Sequence, residues 1–126
     1  MAKHNEIGKW GEQIAYEFLV KQGYAICEHN WRLNHLEVDI IAMKGNRIIF
    51  VEVKTRADDE IDPLLAVNKK KRANLIQAAK VYIESHKIIH DYQFDVIVVI
   101  GSPLSSLPPK IDFFPDAFLP PLRTYR

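Results

Sequence analysis

Two short segments of this chain alternate charged and branched apolar residues, and their charges could bind a metal ion. Glu37 and Asp39 lie in the first segment, and Glu52 and Lys54 lie in the second. Residues two apart on a β-strand project from the same face, so each pair shares a face if the segments are strands. Carboxylates beside an ammonium group suit the hydrolysis of phosphodiesters, in which one or two carboxylates hold a hard ion such as Mg²⁺.

The residues between the two segments predict a β-hairpin that would bring these charges together. Residues 45–46 are Gly-Asn, a recognised two-residue hairpin loop. Counting back from that loop places Asp39 directly opposite Glu52. The same register places Glu37 directly opposite Lys54. Directly opposed side chains lie ~5 Å apart at Cβ, where like charges are destabilising, so the two facing carboxylates are unfavourable unless a cation lies between them.

Two interpretations of these spacings stay open at this point. In the first, Asp39 and Glu52 bind Mg²⁺ or Mn²⁺, and Lys54 assists the attacking water. In the second, the hairpin presents a solvated face of cross-strand salt bridges. The pairing of Glu37 with Lys54 fits the second interpretation, whereas two opposed carboxylates favour the first.

The elements that would position these charges follow an α/β order. The run at 94–100 is nearly all apolar, which is typical of a strand covered on both faces. The sequence therefore predicts one α/β sandwich around a mixed sheet, as a single domain over 1–126 with a Pro-rich segment from about 102. The expected elements are a helix at 5–22, a strand at 24–30, the hairpin, a helix from an N-cap at Asn68 to about Ser85, a strand at 94–100 and a short edge strand at 111–114.

Composition narrows the classes of protein to which the chain could belong. Its 126 residues are 48% hydrophobic and 26% charged, which is ordinary for one globular domain. A formal charge of +1 gives no overall bias towards nucleic acid. No apolar run approaches ~20 residues and the N-terminal segment is amphipathic, so we expect no membrane association and a cytoplasmic location. The single Cys27 excludes an internal disulfide, and we expect it to be a packing residue.

A basic run opens the expected second helix and indicates an anionic partner. Each positive charge near a helix N-terminus opposes the helix dipole by ~0.3–1 kcal/mol, so its placement there favours phosphate contacts. A solvated lysine patch fits equally well. Two further arginines could contact phosphate, or could pair with the acidic run at 58–60. The predicted nucleic-acid contacts are Lys69, Lys70, Lys71, Arg72, Arg56 and Arg32.

The motifs of this chain resemble those of a known group of nucleases along most of its length. Asp39, followed by Glu52-Val53-Lys54, is similar to the Asp…Glu-x-Lys signature of the PD-(D/E)xK, restriction-endonuclease-like nucleases. The chain also resembles the YraN-type family of small uncharacterised bacterial proteins, which is similar to Holliday junction resolvases. The segments that carry this second resemblance are Gly11-Glu12-Gln13-Ile14-Ala15, Gly23-Tyr24, Asn30-Trp31-Arg32, Glu37 to Ala42, Phe50 to Arg56 and Phe94-Asp95-Val96.

These resemblances imply a restriction-endonuclease-like fold with catalytic residues at its centre. Asp39 and Glu52 would be metal ligands, and Lys54 would be catalytic. Glu12 would support the site, although a helical wheel alone places it on a solvated face. Gln77 is a weaker candidate, because RecB-like nucleases carry a Gln on the equivalent helix. Glu37 is a second weak candidate.

Two local features bear on this resemblance. Gly8 and Gly11 are each unfavourable by ~1 kcal/mol in a helix interior, so they indicate a close backbone approach near Glu12. The family usually has Gly-Glu-Ile-Asp where this chain has Leu36-Glu37-Val38-Asp39. The acidic positions are kept, and Leu36 could alter the approach to them.

The sequence and its resemblances together predict a metal-dependent nuclease. The expected cofactor is Mg²⁺ or Mn²⁺, and the expected partner is nucleic acid, with DNA favoured over RNA and branched DNA as one candidate substrate. A homodimer is expected if the substrate is a junction, because a junction presents symmetric strands. The alternative is a catalytically inactive nuclease fold that serves as a nucleic-acid-binding or adaptor protein.

Overall fold

The computed structural model describes residues 4–57 and 67–118, which form one mixed sheet with a helix on each face. The strand order is β1-β2-β3-β4-β5; β3 and β4 are parallel, and the other neighbours are antiparallel. This confirms the predicted α/β architecture with a mixed sheet. The acidic run at 58–60 and the last part of the Pro-rich segment lie outside the described residues. The elements are α1 (His4–Lys21), β1 (Ala25–Leu33), β2 (Leu36–Lys44), β3 (Arg47–Arg56), α2 (Lys69–Ser85), β4 (Asp91–Ile100) and β5 (Lys110–Phe118).

Two hydrophobic layers hold the helices against the sheet. On one face, Ala15 and Leu19 of α1 are fully buried, since apolar residues four apart lie on one side of a helix. On the other face, Leu75, Ala79 and Tyr82 of α2 pack in the same way. Strand β4 lies between both layers, and all its residues at 94–100 are buried, as predicted.

The β2–β3 hairpin has the predicted register next to its turn. Lys44 pairs with Arg47, and the ladder continues to Ile40 and Val51. The first loop residue, Gly45, has φ +60°, a conformation that favours glycine at the first central position of a hairpin turn. The turn therefore determines the alignment of the two strands as far as the acidic residues.

Beyond that point, β1 and β2 both lose their regular alternation. Val38 packs in the α2 layer and Ile40 in the α1 layer, although residues two apart normally share a face. The neighbouring β1 changes face in the same place: His29 contacts α1, Trp31 contacts α2, and Asn30 between them has φ +56°. We call this place, just past the Ile40–Val51 pair, the strand fork.

Two expectations concern the outer surface of the protein. Cys27 is exposed, so its predicted packing role is wrong. The reason is a register shift in β1 between Ile26 and Glu28, which leaves Cys27 as the extra residue of a bulge. Within the two described ranges, neither helix has the length and apolar character required to cross a membrane.

A glycine sets how closely α1 approaches the sheet. A Cβ at Gly11 would overlap Thr55 Oγ1 and lie 3.1 Å from Thr55 Cβ, so the predicted close approach is confirmed there. At Gly8 the prediction is wrong, because a Cβ would meet no atom within 4 Å. The contact at Gly11 brings the next residue, Glu12, down to the sheet.

We expect Gly11→Ala and Gly8→Ala to change stability in opposite directions. Gly11→Ala should lower the free energy of unfolding by roughly 1–3 kcal/mol, because Thr55 must move to accept the methyl group. Gly8→Ala should raise it by up to ~1 kcal/mol, because alanine is the better helix former and the space is open. Urea unfolding of both variants checks this, and changes of equal sign would contradict the packing described.

Candidate active site

Asp39 lies at the strand fork and hydrogen-bonds to β3 through its side chain. Its Oδ2 accepts a hydrogen bond of 2.8 Å from the Val53 backbone N–H. A backbone N–H needs an acceptor, and here a carboxylate supplies it where the β2–β3 ladder has ended. Asp39 is thus held beside Glu52 without a direct ladder pair between the two residues.

Glu52 is a buried carboxylate whose negative charge is only partly compensated by its neighbours. Only 1% of the residue is exposed, and Oε2 has no hydrogen-bond partner among the described residues. The ammonium groups of Lys71 and Lys54 lie 3.4 and 3.7 Å from that oxygen. Burial, followed by the hydrogen bond and charge of Asp39, raises the pKa of Glu52, and the two lysines oppose this. The surroundings therefore favour an additional cation at this carboxylate.

Helix α1 adds a third carboxyl group to the cluster. The helical wheel suggested a solvated Glu12, but the residue is half-buried and its Oε1 finds no hydrogen-bond partner in the described part of the chain. Burial, followed by the charges of Asp39 and Glu37, raises the pKa of Glu12 to about 7. The position is explained by the close approach at Gly11, which a helical wheel does not include.

Helix α2 supplies a cation to the cluster from the opposite face. Asn68 caps the helix, as predicted, and its side chain accepts a 2.9 Å hydrogen bond from the Lys71 backbone N–H. The Lys71 ammonium lies 3.3 Å from Glu37 Oε1 and 3.4 Å from Glu52 Oε2. Burial alone would lower the pKa of Lys71, but the charges of Glu52, Glu37 and then Asp39 raise it.

The start of β2 is fastened to α2 by one amide side chain. Asn74 accepts from the Glu37 backbone N–H at 3.4 Å and donates to the His35 carbonyl oxygen at 3.1 Å. Glu37 therefore pairs with Lys71, and also with Arg32 at 3.5 Å, rather than with Lys54 as the hairpin register predicted. The prediction failed because it extended the ladder past the strand fork.

A basic and polar groove opens beside the acidic cluster. Its volume is about 510 Å³, and Lys54 reaches it from the sheet. Gln77, the weak candidate from the resemblance, lies on its wall. Such a lining of ammonium and amide groups suits phosphate oxygens. The polar side chains from α2 and its cap that line it are Asn68, Lys70, Lys71, Asn74 and Gln77.

The remaining predicted phosphate contacts have different surroundings. Lys69 and Arg72 are exposed near the start of α2. Arg56 donates a 3.0 Å hydrogen bond to the Thr55 carbonyl oxygen, and the Arg32 side chain is 74% exposed beside Glu37. Their contacts with nucleic acid stay predictions.

Neither Asn74 nor the inward direction of Lys71 follows from the sequence pattern of the basic run. Residues three apart on a helix are neighbours on its surface, so a start fixed by the cap at Asn68 places 71 and 74 side by side. This spacing is visible in the sequence, but it does not show which member of the basic run turns towards the sheet. Only the packing of α2 shows that one of its members turns towards the sheet.

The residues at the strand fork fit a hydrated divalent ion. Within the described ranges, no three His, Cys, Asp or Glu side chains form a group that could hold a metal by themselves. Asp39 and Glu52 are nevertheless adjacent, and Glu52 Oε2 is a buried oxygen without a hydrogen-bond donor. Mg²⁺ typically takes one or two carboxylates and keeps several waters, so two ligands from the protein are sufficient.

The chain is similar to proteins that share one family description. The sequence profile of the uncharacterised protein family UPF0102 matches residues 11–99, a range that contains every predicted catalytic residue. A UPF0102 protein of Bacteroides thetaiotaomicron is 42% identical over 123 residues, covering 97% of this chain and 99% of the relative. A UPF0102 protein of Flavobacterium psychrophilum is 40% identical over 119 residues, with 94% and 98% covered. Another, of Dictyoglomus turgidum, is 34% identical over 117 residues, with 91% and 98% covered.

The raised pKa of Glu12 predicts a loss of stability as the pH rises in the absence of metal. The folded state holds the proton to about pH 7, whereas the ordinary pKa of the unfolded chain is 4.5. The contribution of Glu12 to stability should therefore fall between pH 4.5 and 7 and then level off. Glu12→Gln should remove this contribution, so its free energy of unfolding should exceed that of the wild type at pH 8 by on the order of 1 kcal/mol, after allowance for solvent screening.

Urea unfolding in EDTA at pH 4.5 and pH 8 checks this prediction. The matched control is Glu17→Gln, which removes an exposed carboxylate from the same helix and should keep the wild-type pH dependence. An equal pH dependence for Glu12→Gln and the wild type would contradict the burial described for Glu12.

Proposed function

The chain belongs to the uncharacterised protein family UPF0102, and we propose that it is a metal-dependent nuclease that hydrolyses phosphodiester bonds in DNA. The membership confirms the predicted YraN-type family. The family description assigns no activity, so the proposal depends on the site itself. The observation that carries it is the buried carboxylate of Glu52 beside Asp39 at the strand fork, with Lys54 next to it.

A buried carboxylate of this kind favours a bound cation. An ionised carboxylate costs several kcal/mol to bury unless charges and hydrogen bonds satisfy it. The lysines at 3.4 and 3.7 Å from Glu52 supply charge, but Oε2 accepts no hydrogen bond from a described residue. A divalent ion shared with Asp39 would satisfy both carboxylates, since Mg²⁺ and Mn²⁺ prefer oxygen ligands.

The residues around that position have distinct chemical roles in the proposed reaction. A divalent ion held by Asp39 and Glu52 would supply a Lewis acid for the scissile phosphate. The Lys54 side chain is 27% exposed and reaches the groove, so its ammonium can orient the attacking water and stabilise negative charge that develops on the phosphate. Glu12 Oε1, which has no hydrogen-bond partner among the described residues, is available to accept a hydrogen bond from water.

The groove along α2 would hold the nucleic acid backbone. Lys70 and the amide of Asn68 line it close to the helix N-terminus, where backbone N–H groups and basic side chains both favour phosphate. We propose DNA as the substrate, with branched DNA as a candidate, and a homodimer if a junction is cut.

One observation favours the alternative of an inactive nucleic-acid-binding or adaptor protein. Among the described residues, no three His, Cys, Asp or Glu side chains form a group that could hold a metal. A chain that only binds nucleic acid would do so without a divalent ion and would use the basic residues that open α2. Binding and cleavage therefore have to be measured separately.

Cleavage of end-labelled DNA tests the proposal directly. We expect the wild type to cut duplex, single-stranded or four-way-junction DNA only with Mg²⁺ or Mn²⁺. Asp39→Asn and Glu52→Gln should each lower the rate by at least ~100-fold, because they remove a charge and leave the shape of the side chain. Asp91→Asn, at an exposed aspartate at the start of β4, should cut like the wild type.

The outcomes separate the two functions. Metal-dependent cutting that is lost in both site variants supports the nuclease, and the preferred substrate defines its class. Binding of DNA in EDTA, with no cutting in any metal, would contradict the nuclease and support the adaptor. A protein that neither binds nor cuts DNA would contradict both proposed functions.

A further inference from the structure

One lysine of the basic run differs from its neighbours in its surroundings. Lys69, Lys70 and Arg72 are exposed, whereas the Lys71 side chain is only 26% exposed. Its ammonium lies within 3.4 Å of two carboxylates, Glu37 and Glu52, that belong to the two different strands of the β2–β3 hairpin. The role of phosphate contact, which we predicted for the whole run, does not explain this contact with the acidic cluster.

The position of Lys71 is defined by contacts on both sides of it along α2. The Asn68 side chain accepts a hydrogen bond from the Lys71 backbone N–H, which fixes the first turn of the helix. One turn later, Asn74 hydrogen-bonds to the backbone of β2 at Glu37 and His35. Both contacts fix the backbone of α2 on either side of Lys71, so the side chain leaves the helix on the face that is turned towards the acidic cluster.

The contact between Lys71 and Glu52 conflicts with a divalent ion at the same carboxylate. Lys71 approaches Glu52 Oε2, the buried oxygen that has no hydrogen-bond partner among the described residues. An ammonium group and a divalent ion repel each other, and both would compensate the same negative charge. Binding of the ion therefore requires Lys71 to weaken or leave this contact.

We propose that Lys71 is a built-in counter-ion of the metal site, which neutralises Glu52 when no metal is bound and gives up that contact when a divalent ion binds. This inference rests on the proposed function, because it assumes a metal at Asp39 and Glu52. Lys71 already lines the groove next to Lys70, so the released ammonium could contact a substrate phosphate bound in the groove. Metal binding and nucleic-acid binding would then be coupled through one side chain.

Calorimetric titration of Mn²⁺ into the full chain, without nucleic acid, tests the counter-ion. Lys71→Met keeps the length of the side chain and removes the competing charge, so we expect it to bind Mn²⁺ roughly tenfold more tightly than the wild type. Lys70→Met is the matched control, because it removes the same charge from the same groove without a contact to Glu52. Its Mn²⁺ affinity should stay within about twofold of the wild type.

A second variant changes the affinity in the opposite direction. Lys71→Arg keeps the charge and can bind two carboxylate oxygens at once, so it should hold the cluster more firmly and weaken Mn²⁺ binding several-fold. Lys71→Arg also keeps the proposal testable if the Lys71→Met protein does not fold. Circular dichroism in EDTA shows whether each variant is folded.

Different results would overturn the counter-ion role of Lys71 and the proposed metal site. Mn²⁺ binding by the wild type, with equal or weaker binding by Lys71→Met, would overturn the counter-ion and leave the nuclease proposal standing. If Lys71→Met does not fold, wild-type or tighter affinity in Lys71→Arg overturns it. Absence of Mn²⁺ binding in the wild type and in every folded variant would overturn the metal site, and the counter-ion with it.

Discussion

Negative charge buried at the strand fork is the constraint on which the rest of this site depends. Glu52 is 1% exposed in the middle of the sheet, and the next carboxylate, Asp39, is held close by its hydrogen bond to Val53. Neither hydrophobic layer can compensate such charges, so the chain surrounds them with Lys54 and Lys71. The cost of this arrangement for stability is understandable if the carboxylates serve to bind a cation.

The two helices contribute to the site by different physical means. Helix α1 approaches the sheet closely at Gly11, and this contact carries Glu12 to the acidic cluster. Helix α2 is fixed by the cap at Asn68, and its first turn brings a cation to the other side. The sheet supplies the proposed metal ligands, one helix adds a carboxyl group, and the other adds positive charge and the groove that we propose for phosphate. Each element thus has a role that follows from its packing.

Local rules predicted the parts of the structure that depend on a few neighbouring residues. The Gly-Asn loop defined the hairpin register, and Asn68 was recognised as a cap, because turn and cap preferences act within four residues. The strand fork could not be predicted in this way, since the change of face in β2 accompanies a positive φ in β1, at Asn30. The inward direction of Lys71 likewise depends on where α2 packs. The acidic residues were therefore predicted, whereas their neighbours were found only in the fold.

Locating the divalent ion that we propose at Asp39 and Glu52 is the decisive experiment for this site. Crystals soaked in Mn²⁺ would give an anomalous difference map in which manganese scatters strongly. We expect a peak in contact with both carboxylates in the wild type, and no peak there in Asp39→Asn. A map without a peak at the strand fork, or with the same peak in both proteins, would contradict it.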